Sequence, residues 1–337
     1  MRKIFLLVIV AHFASGTRLD AQLPDSLHAC LDSALNHMKM VALHRNTVNW
    51  KDVEAQVSWR AGLAETVMDL RPVFAYLLEQ LDDSHGRFFV NNKPIAWYHG
   101  SPKPYQEHID PKVWAVIQSG KYPFQYAILP GQTGYLRIPG MPMGDVSQLA
   151  APIRAAVCSL QTLGAQQWVI DLRYNGGGNM FPMLAGIAPV LGDGDIGGAI
   201  DNLNNRFASW DLKDGNVFYN DQQNTNLANE CPIATVPKVA VLTSRYTVSS
   251  GEVVAVAFKG RPNTRFFGEH TGGFTTVTSW FQLPAGVTMS ISTSYYTDRT
   301  GVVYKEFVPV DEEIEFVPDD APDADATIRA ALNWLNE

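Results

Sequence analysis

The sequence predicts an α/β fold in which helices pack on sheets, and three observations carry that prediction. From residue 134 onward, short β-branched and aromatic runs alternate with segments of helical period. Residues 23–84 show helical periodicity alone, so a helical unit precedes the alternating part. The last segment, ATIRAALNWL, sets Ile328, Ala331, Leu332 and Leu335 on one face, which gives the sheet a closing helix.

Taken in order, the chain opens with MRKIFLLVIVAHFASG, where Arg2 and Lys3 precede a short apolar run and then small and polar residues through Gln22. That is the build of a secretory signal, too short to span a membrane. Cleavage after Gly16 or Ala21 fits it, and residues 1–21 are set apart from the fold. Residues 22–90 read as an N-terminal helical domain with the helices LPDSLHACLDSALNHM, WKDVEAQVSWRAGLAETV and DLRPVFAYLLEQLDDSH. In the third, Leu70, Val73, Phe74, Leu77, Leu78 and Leu81 share a face, Asp69 stands at the N-cap position and Pro72 lies in the first turn. Residues 91–133, rich in Pro, Tyr, Gly and Lys, read as an irregular connection. The rest, 134–337, reads as one domain. Its strands are GYLRIPGM, QWVIDLRY, KVAVLTS, TRFFGE, TVTSWFQL and TMSISTSYYT, and its inner helices SQLAAPIRAAVCSL and SGEVVAVAF. The Asn-, Asp- and Gly-rich segment from Gly192 to Ala234 reads as a surface excursion.

Composition narrows the function. A net charge of -8 with no basic block argues against nucleic acid as a partner. Cys30, Cys158 and Cys231 lack metal-ligand spacing, so no metal or cofactor is called for; an oxidising compartment permits one bridge among them, with the pair left open. After signal removal no segment is long and apolar enough to span a membrane. The predicted location is exported, periplasmic or extracellular, and no motif sets an oligomeric state.

Two stretches carry chemistry. TVSSGEVVAVAF places Ser249 and Ser250 where a strand hands over to a helix, whose first N–H groups lack intrahelical acceptors. A serine there is a candidate nucleophile if a base takes its proton, and a plain helix cap if none does. IDLRYNGGGNM runs an apolar strand into three glycines, which let backbone N–H groups approach a ligand. A phosphate loop calls for Lys and Ser or Thr next, whereas Asn179 and Met180 follow, so the glycines suit an oxyanion hole better.

With LDDSH at 81–85, GYLRIPG at 134–140, VIDLRYNGGG at 169–178, VAVLTSRYTVSSGEVVAVAFKG at 239–260, RFFGEHTGG at 265–273 and VPVDEEIEF at the end, the chain resembles the C-terminal processing, or tail-specific, serine peptidases. The tricorn core and the interphotoreceptor retinoid-binding modules belong to the same group. The resemblance implies a ClpP/crotonase-like core behind a helical N-terminal domain. It selects Ser249 as nucleophile, with the Ser250 N–H and the N–H of Gly177, or Gly176, as oxyanion donors. Where the tail-specific branch has a lysine base this chain has Phe274, and Lys259 sits about 15 Å along the same helix. The tricorn-like branch uses histidine instead, and its Ser-His pair matches Ser84-His85, making His85 the base. His270, near the serine motif, has no such role. The branch's glutamate falls closest to Glu306, with Asp298 as second candidate. Too few residues separate LDDSH from GYLRI for the PDZ domain that grips protein tails.

The resulting expectation is an exported serine peptidase acting on peptides or unfolded proteins through an acyl-enzyme. The competing expectation is a non-catalytic module that holds an apolar ligand on the same fold; acyl-thioester chemistry is a weaker third.

Overall fold

The computed structural model describes residues 23–98, 124–228, 230–317 and 325–337, with 100, 111 and 115 besides. The signal expected at 1–21 and most of the connection before residue 124 lie outside the described residues.

The N-terminal part forms helices α1 (Asp25–Val41), α2 (Trp50–Ala61) and α3 (Arg71–Gln80). Asp69 is not the N-cap expected of it: it sits inside the turn Val67–Leu70, where its carboxylate accepts the Thr66 N–H at 2.8 Å and the Thr66 hydroxyl at 2.7 Å. Helix α3 stops at Gln80 instead of running through LDDSH. Asp82 adopts a left-handed φ of 48°, and the N–H groups of Asp82 and Asp83 bond back to Glu79 and Leu78, the reversal that closes many helices. These helices do not close a core alone. Their apolar faces pack with Phe88, Ile95, Leu283, Val287, Met289 and Ile291, all from strands.

Those strands belong to an antiparallel sheet ordered β2-β1-β13-β6-β7-β8-β9 among the described residues, with β12 and β14 also paired to β13. They are β1 (Arg87–Val90), β2 (Lys93–Trp97), β6 (Gly194–Ile200), β7 (Arg206–Lys213), β8 (Asn216–Tyr219), β9 (Gln222–Gln223), β12 (Thr276–Leu283), β13 (Val287–Thr297) and β14 (Val303–Tyr304). A second sheet, ordered β15-β11-β10-β5-β4-β3, is parallel except where β3 meets β4. It contains β3 (Gln125–Leu129), β4 (Thr133–Arg137), β5 (Gln167–Asp171), β10 (Val239–Thr243), β11 (Thr264–Gly268) and β15 (Glu312–Glu313).

Two expectations change. Within the stretch read as irregular, β2 and β3 pair in sheets. The expected surface excursion is instead the meander β6–β9, and Ala208, Trp210 and Leu212 of β7 alternate into the core.

Between the sheets lie helices α4 (Val146–Thr162), α5 (Met180–Gly186), α6 (Ala188–Leu191) and α7 (Ser250–Phe258). Past its first turn helix α7 is apolar all round, as a helix sandwiched by two sheets must be, and Val253 to Phe258 are buried on every side. Each of its buried Val and Phe side chains stabilises the fold by about 1.5–3 kcal/mol, which anchors the α7 N-terminus. Helix α8 (Ala326–Leu335) covers the other face of the parallel sheet through Ile328, Ala331 and Leu335. A disulfide joins Cys158 of α4 to Cys231, leaving Cys30 reduced and buried.

Candidate active site

The handover from β10 to α7 builds the seat of Ser249. Thr247 donates its hydroxyl to Leu172 O at 2.8 Å, Ser244 donates to Arg173 O at 2.6 Å, and the Val248 N–H reaches Asn175 O at 3.0 Å. These bonds tie the turn to the exit of β5 and leave Ser249 with φ 54° and ψ −121°. Such a backbone costs about 1–3 kcal/mol outside glycine and persists only where its surroundings over-determine it. Glu252 supplies much of that determination: one oxygen accepts the Ser249 N–H at 2.8 Å, the other the Thr271 hydroxyl at 2.6 Å and the Gly273 N–H at 2.9 Å. Burial pushes the Glu252 carboxyl up to about 7, against those hydrogen bonds, which pull it down.

The glycine loop lies against this turn. Gly177 is buried at φ 91°, and a Cβ on it would stand 2.9 Å from the Ser249 Cβ. Its N–H goes to Asn175 Oδ1 at 3.0 Å, so the donor expected at Gly177 is engaged within the loop. Gly178 is exposed, lines the cleft and accepts the Ser250 hydroxyl on its carbonyl. Gly176 is exposed beside Tyr246, whose ring a side chain there would strike. Ser250 is the first residue of α7, and the N–H groups of Gly251, Glu252 and Val253 are already spent on Val248 and Ser249 carbonyls.

His85 arrives on the turn that follows the end of α3. Its Nε2 lies 3.1 Å from Ser249 Oγ, across 164 residues of sequence. Its Nδ1 lies 2.9 Å from Thr276 Oγ1 at the start of β12, and its ring meets the Phe274 ring edge-on at 5.3 Å between centroids. Burial pushes the imidazole down to about 4, with Asp83 opposing and Arg87 reinforcing. The residue is half-buried, so the push is strongest once a substrate covers the cleft. The His85 turn is itself docked on β13: Asp83 accepts from Gly86 N at 2.8 Å, from Ser292 N at 2.8 Å and from the Ser292 hydroxyl at 2.7 Å.

Neither carboxylate expected to orient the imidazole meets it. Asp298 is buried in its own turn, accepting from Thr300 N at 2.8 Å, the Thr300 hydroxyl at 2.6 Å and the Tyr304 hydroxyl at 2.7 Å. Glu306 is exposed, on the lining of a cavity of about 260 Å³ behind His85. Thr276 takes the expected position because the strand order brings the start of β12 under the ring. Lys259 donates to Pro309 O over the Phe266 ring, and His270 stacks on Phe307; neither joins the pair. Sequence reasoning missed Thr276, Ser292 and Asp83. It also missed Tyr296, which lines the same cleft as Ser249. A cleft of about 640 Å³ opens over the pair, lined by Phe181, Trp210, Tyr219, Val253, Trp280 and Tyr296 among others.

The sequence pattern of Peptidase family S41 matches residues 132–315, more than half of the chain. The chain belongs to peptidase family S41. A relative, the nisin-resistance protein of Lactococcus lactis subsp. lactis, is 26% identical over 292 residues, covering 87% of this chain and 84% of its own. Among solved structures, a lipoprotein from Streptococcus agalactiae superposes with a TM-score of 0.68 at 18% identity, covering 99% of each chain. The photosystem II D1 C-terminal processing protease superposes with a TM-score of 0.55 at 16% identity, covering 86% of this chain and 93% of its own. The S41 match takes in the glycine loop, Ser249, Thr276 and Ser292, whereas Asp83 and His85 stand outside it. The histidine of the pair is therefore carried by the segment preceding the family pattern.

Proposed function

We propose that this chain is an exported serine peptidase that hydrolyses peptide bonds through an acyl-enzyme on Ser249, with His85 as general base. The observation that carries the reading is the 3.1 Å approach of His85 Nε2 to Ser249 Oγ at a backbone-strained strand-to-helix turn. A neutral imidazole takes the serine proton as Oγ attacks the scissile carbonyl, then returns it to the leaving amine. The developing oxyanion is received by the N–H groups of Ser250 and Gly178, the exposed neighbour of the engaged Gly177. Water then attacks the acyl-enzyme, again through His85, and frees the acid.

The histidine base in place of lysine supports the tricorn-like branch. The short span between His85 and β4 supports a chain that lacks a tail-gripping PDZ domain. Relatives named as a lipoprotein and as a nisin-resistance protein agree with a location outside the cytoplasm, as does the disulfide. Unfolded proteins and peptides are the substrate class; nisin is a first peptide to assay, since a relative carries its name.

A fluorophosphonate probe tests the reading. We expect covalent labelling at Ser249, lost in Ser249→Ala and accompanied by peptide hydrolysis. A folded protein that resists the probe and hydrolyses nothing, while binding an apolar ligand in the cleft, belongs to the carrier class instead.

A further inference from the structure

We propose that Asp83 is the carboxylate that sets the tautomer of His85, acting through two hydroxyl groups without touching the ring. The inference rests on the reading of Ser249 and His85 as nucleophile and base, and makes Asp83 a positioning residue for that pair.

Counting protons fixes the direction of each bond. Asp83 is 5% exposed, and among the described residues the hydrogen-bonding groups that face its oxygens are all donors: the N–H groups of His85, Gly86 and Ser292, and the Ser292 hydroxyl. A hydroxyl owns one proton, and that of Ser292 is committed to Asp83 Oδ1 at 2.7 Å. At the contact between Thr276 Oγ1 and Ser292 Oγ, 2.9 Å, the proton must then come from Thr276. With its only proton spent, Thr276 Oγ1 faces His85 Nδ1 at 2.9 Å as an acceptor, so Nδ1 carries the ring's hydrogen. Nε2 is left with a bare lone pair directed at Ser249 Oγ. The reverse orientation would place the Ser292 lone pairs against a carboxylate oxygen at 2.7 Å, which electrostatics forbids.

The strand register builds this line. Thr276 and Ser292 lie on adjacent strands, and the register slips between Val277 and Thr278, so that Val277 opposes Ser294 while Thr278 opposes Ser292. The extra residue, Thr293, re-aims the side chains of β13 as bulges do. Asp83 in turn holds the His85 turn to β13 through the Ser292 N–H, so one carboxylate fixes both the place of the imidazole and its proton.

The test reads the ¹⁵N tautomer of His85 by NMR in the full chain near neutral pH, the resonance being identified by its loss in His85→Gln. We expect the Nδ1–H form in the parent. Ser292→Ala, which interrupts the line and leaves Asp83 in place, should move the ring toward the Nε2–H form and lower kcat by about tenfold with KM within about twofold. Asp83→Asn should do the same with a loss of about a hundredfold, because the wrong tautomer removes the base. Thr276→Ser should restore what Thr276→Val loses. A folded Ser292→Ala protein that keeps the Nδ1–H form and the parent's kcat overturns the proposal, and decides the matter alone if Asp83→Asn does not fold. Should the parent hydrolyse nothing and take no fluorophosphonate, the peptidase reading fails while the tautomer still decides on Asp83.

Discussion

The two halves of the site are held in different ways. The serine half is built mostly from contiguous chain: β10, a turn and the α7 N-terminus set Ser249 against the glycine loop, and the hydroxyls of Ser244 and Thr247 with the carboxylate of Glu252 fix the turn. The histidine half is built across the chain: α3 ends, the chain reverses at Asp82, and Asp83 docks the turn on a strand more than two hundred residues away in sequence. In each half burial shifts one titratable group, and the two shifts run in opposite directions, Glu252 up to about 7 and His85 down to about 4. Variants in each half separate the two.

The largest effect belongs to Ser249, the proposed nucleophile. Ser249→Ala should lower kcat by at least about 10⁴-fold, as removal of a nucleophile does in serine hydrolases, and leave thermal unfolding close to the parent's. Ser250→Ala removes only a hydroxyl bond to Gly178 O and should retain activity within about tenfold, since its proposed role uses the backbone. Steady-state kinetics on the pair checks this; the reverse ranking would move the nucleophile to Ser250.

Next comes the loop that touches the nucleophile. Gly177 has φ 91°, and a Cβ there would stand 2.9 Å from Ser249 Cβ and 3.0 Å from Val248 O, so Gly177→Val should displace both the serine and the oxyanion donors. A loss near 3 kcal/mol of transition-state stabilisation corresponds to about a hundredfold in kcat. Unchanged turnover in a folded variant would remove this loop from the chemistry.

A smaller effect separates the halves on their acids. Glu306→Gln should change kcat by less than about threefold, because the Nδ1 partner is Thr276. Asp298→Asn should chiefly destabilise, by about 1–3 kcal/mol, by leaving turn donors and Tyr304 with a poorer acceptor. A hundredfold loss in Glu306→Gln with a normal unfolding midpoint would show that the exposed carboxylate swings onto the ring in the substrate complex.

The same division decides what was legible in the sequence. Helix α7, β10 and the glycine loop are each local in sequence, and their period and glycines show on the page; the Ser249–Ser250 pair and the Gly176–Gly178 loop followed from them, and the resemblance chose Ser249. His85 was reached through the resemblance, its helix-end context alone being ambiguous. The meander β6–β9 was missed because Ala208, Trp210 and Leu212 alternate within a stretch dominated by turn residues. Thr276, Ser292 and Asp83 were missed because Ser and Thr recur all along β12 and β13, and only the register and its slip choose which of them meet. An Asp next to another Asp carries no mark of which one faces inward.

The smallest effect is on stability, and it follows from the opposed shifts. Glu252 has a folded value above its usual carboxyl value of 4.5, so the folded state binds its proton more readily; the stability it contributes is present below pH 4.5 and lost as pH rises toward 7. His85 has a folded value below 6.5, so the unfolded state binds its proton more readily; its contribution is present above pH 6.5 and lost as pH falls toward 4. Each corresponds to about 3 kcal/mol at most, and less for His85, whose ring keeps some contact with solvent in the open cleft. Between pH 4.5 and 6.5 the two slopes have opposite signs and largely cancel, so these groups leave the parent's stability nearly flat there. Removing one exposes the other. His85→Gln should make stability fall, relative to the parent, as pH rises from 4.5 to 7, and Glu252→Gln should make it rise as pH climbs from 4 to 6.5, on top of a constant loss from the broken elbow bonds. Urea unfolding across that range measures both slopes. If the two variants drift in the same direction, the site does not divide into halves with opposed buried charges.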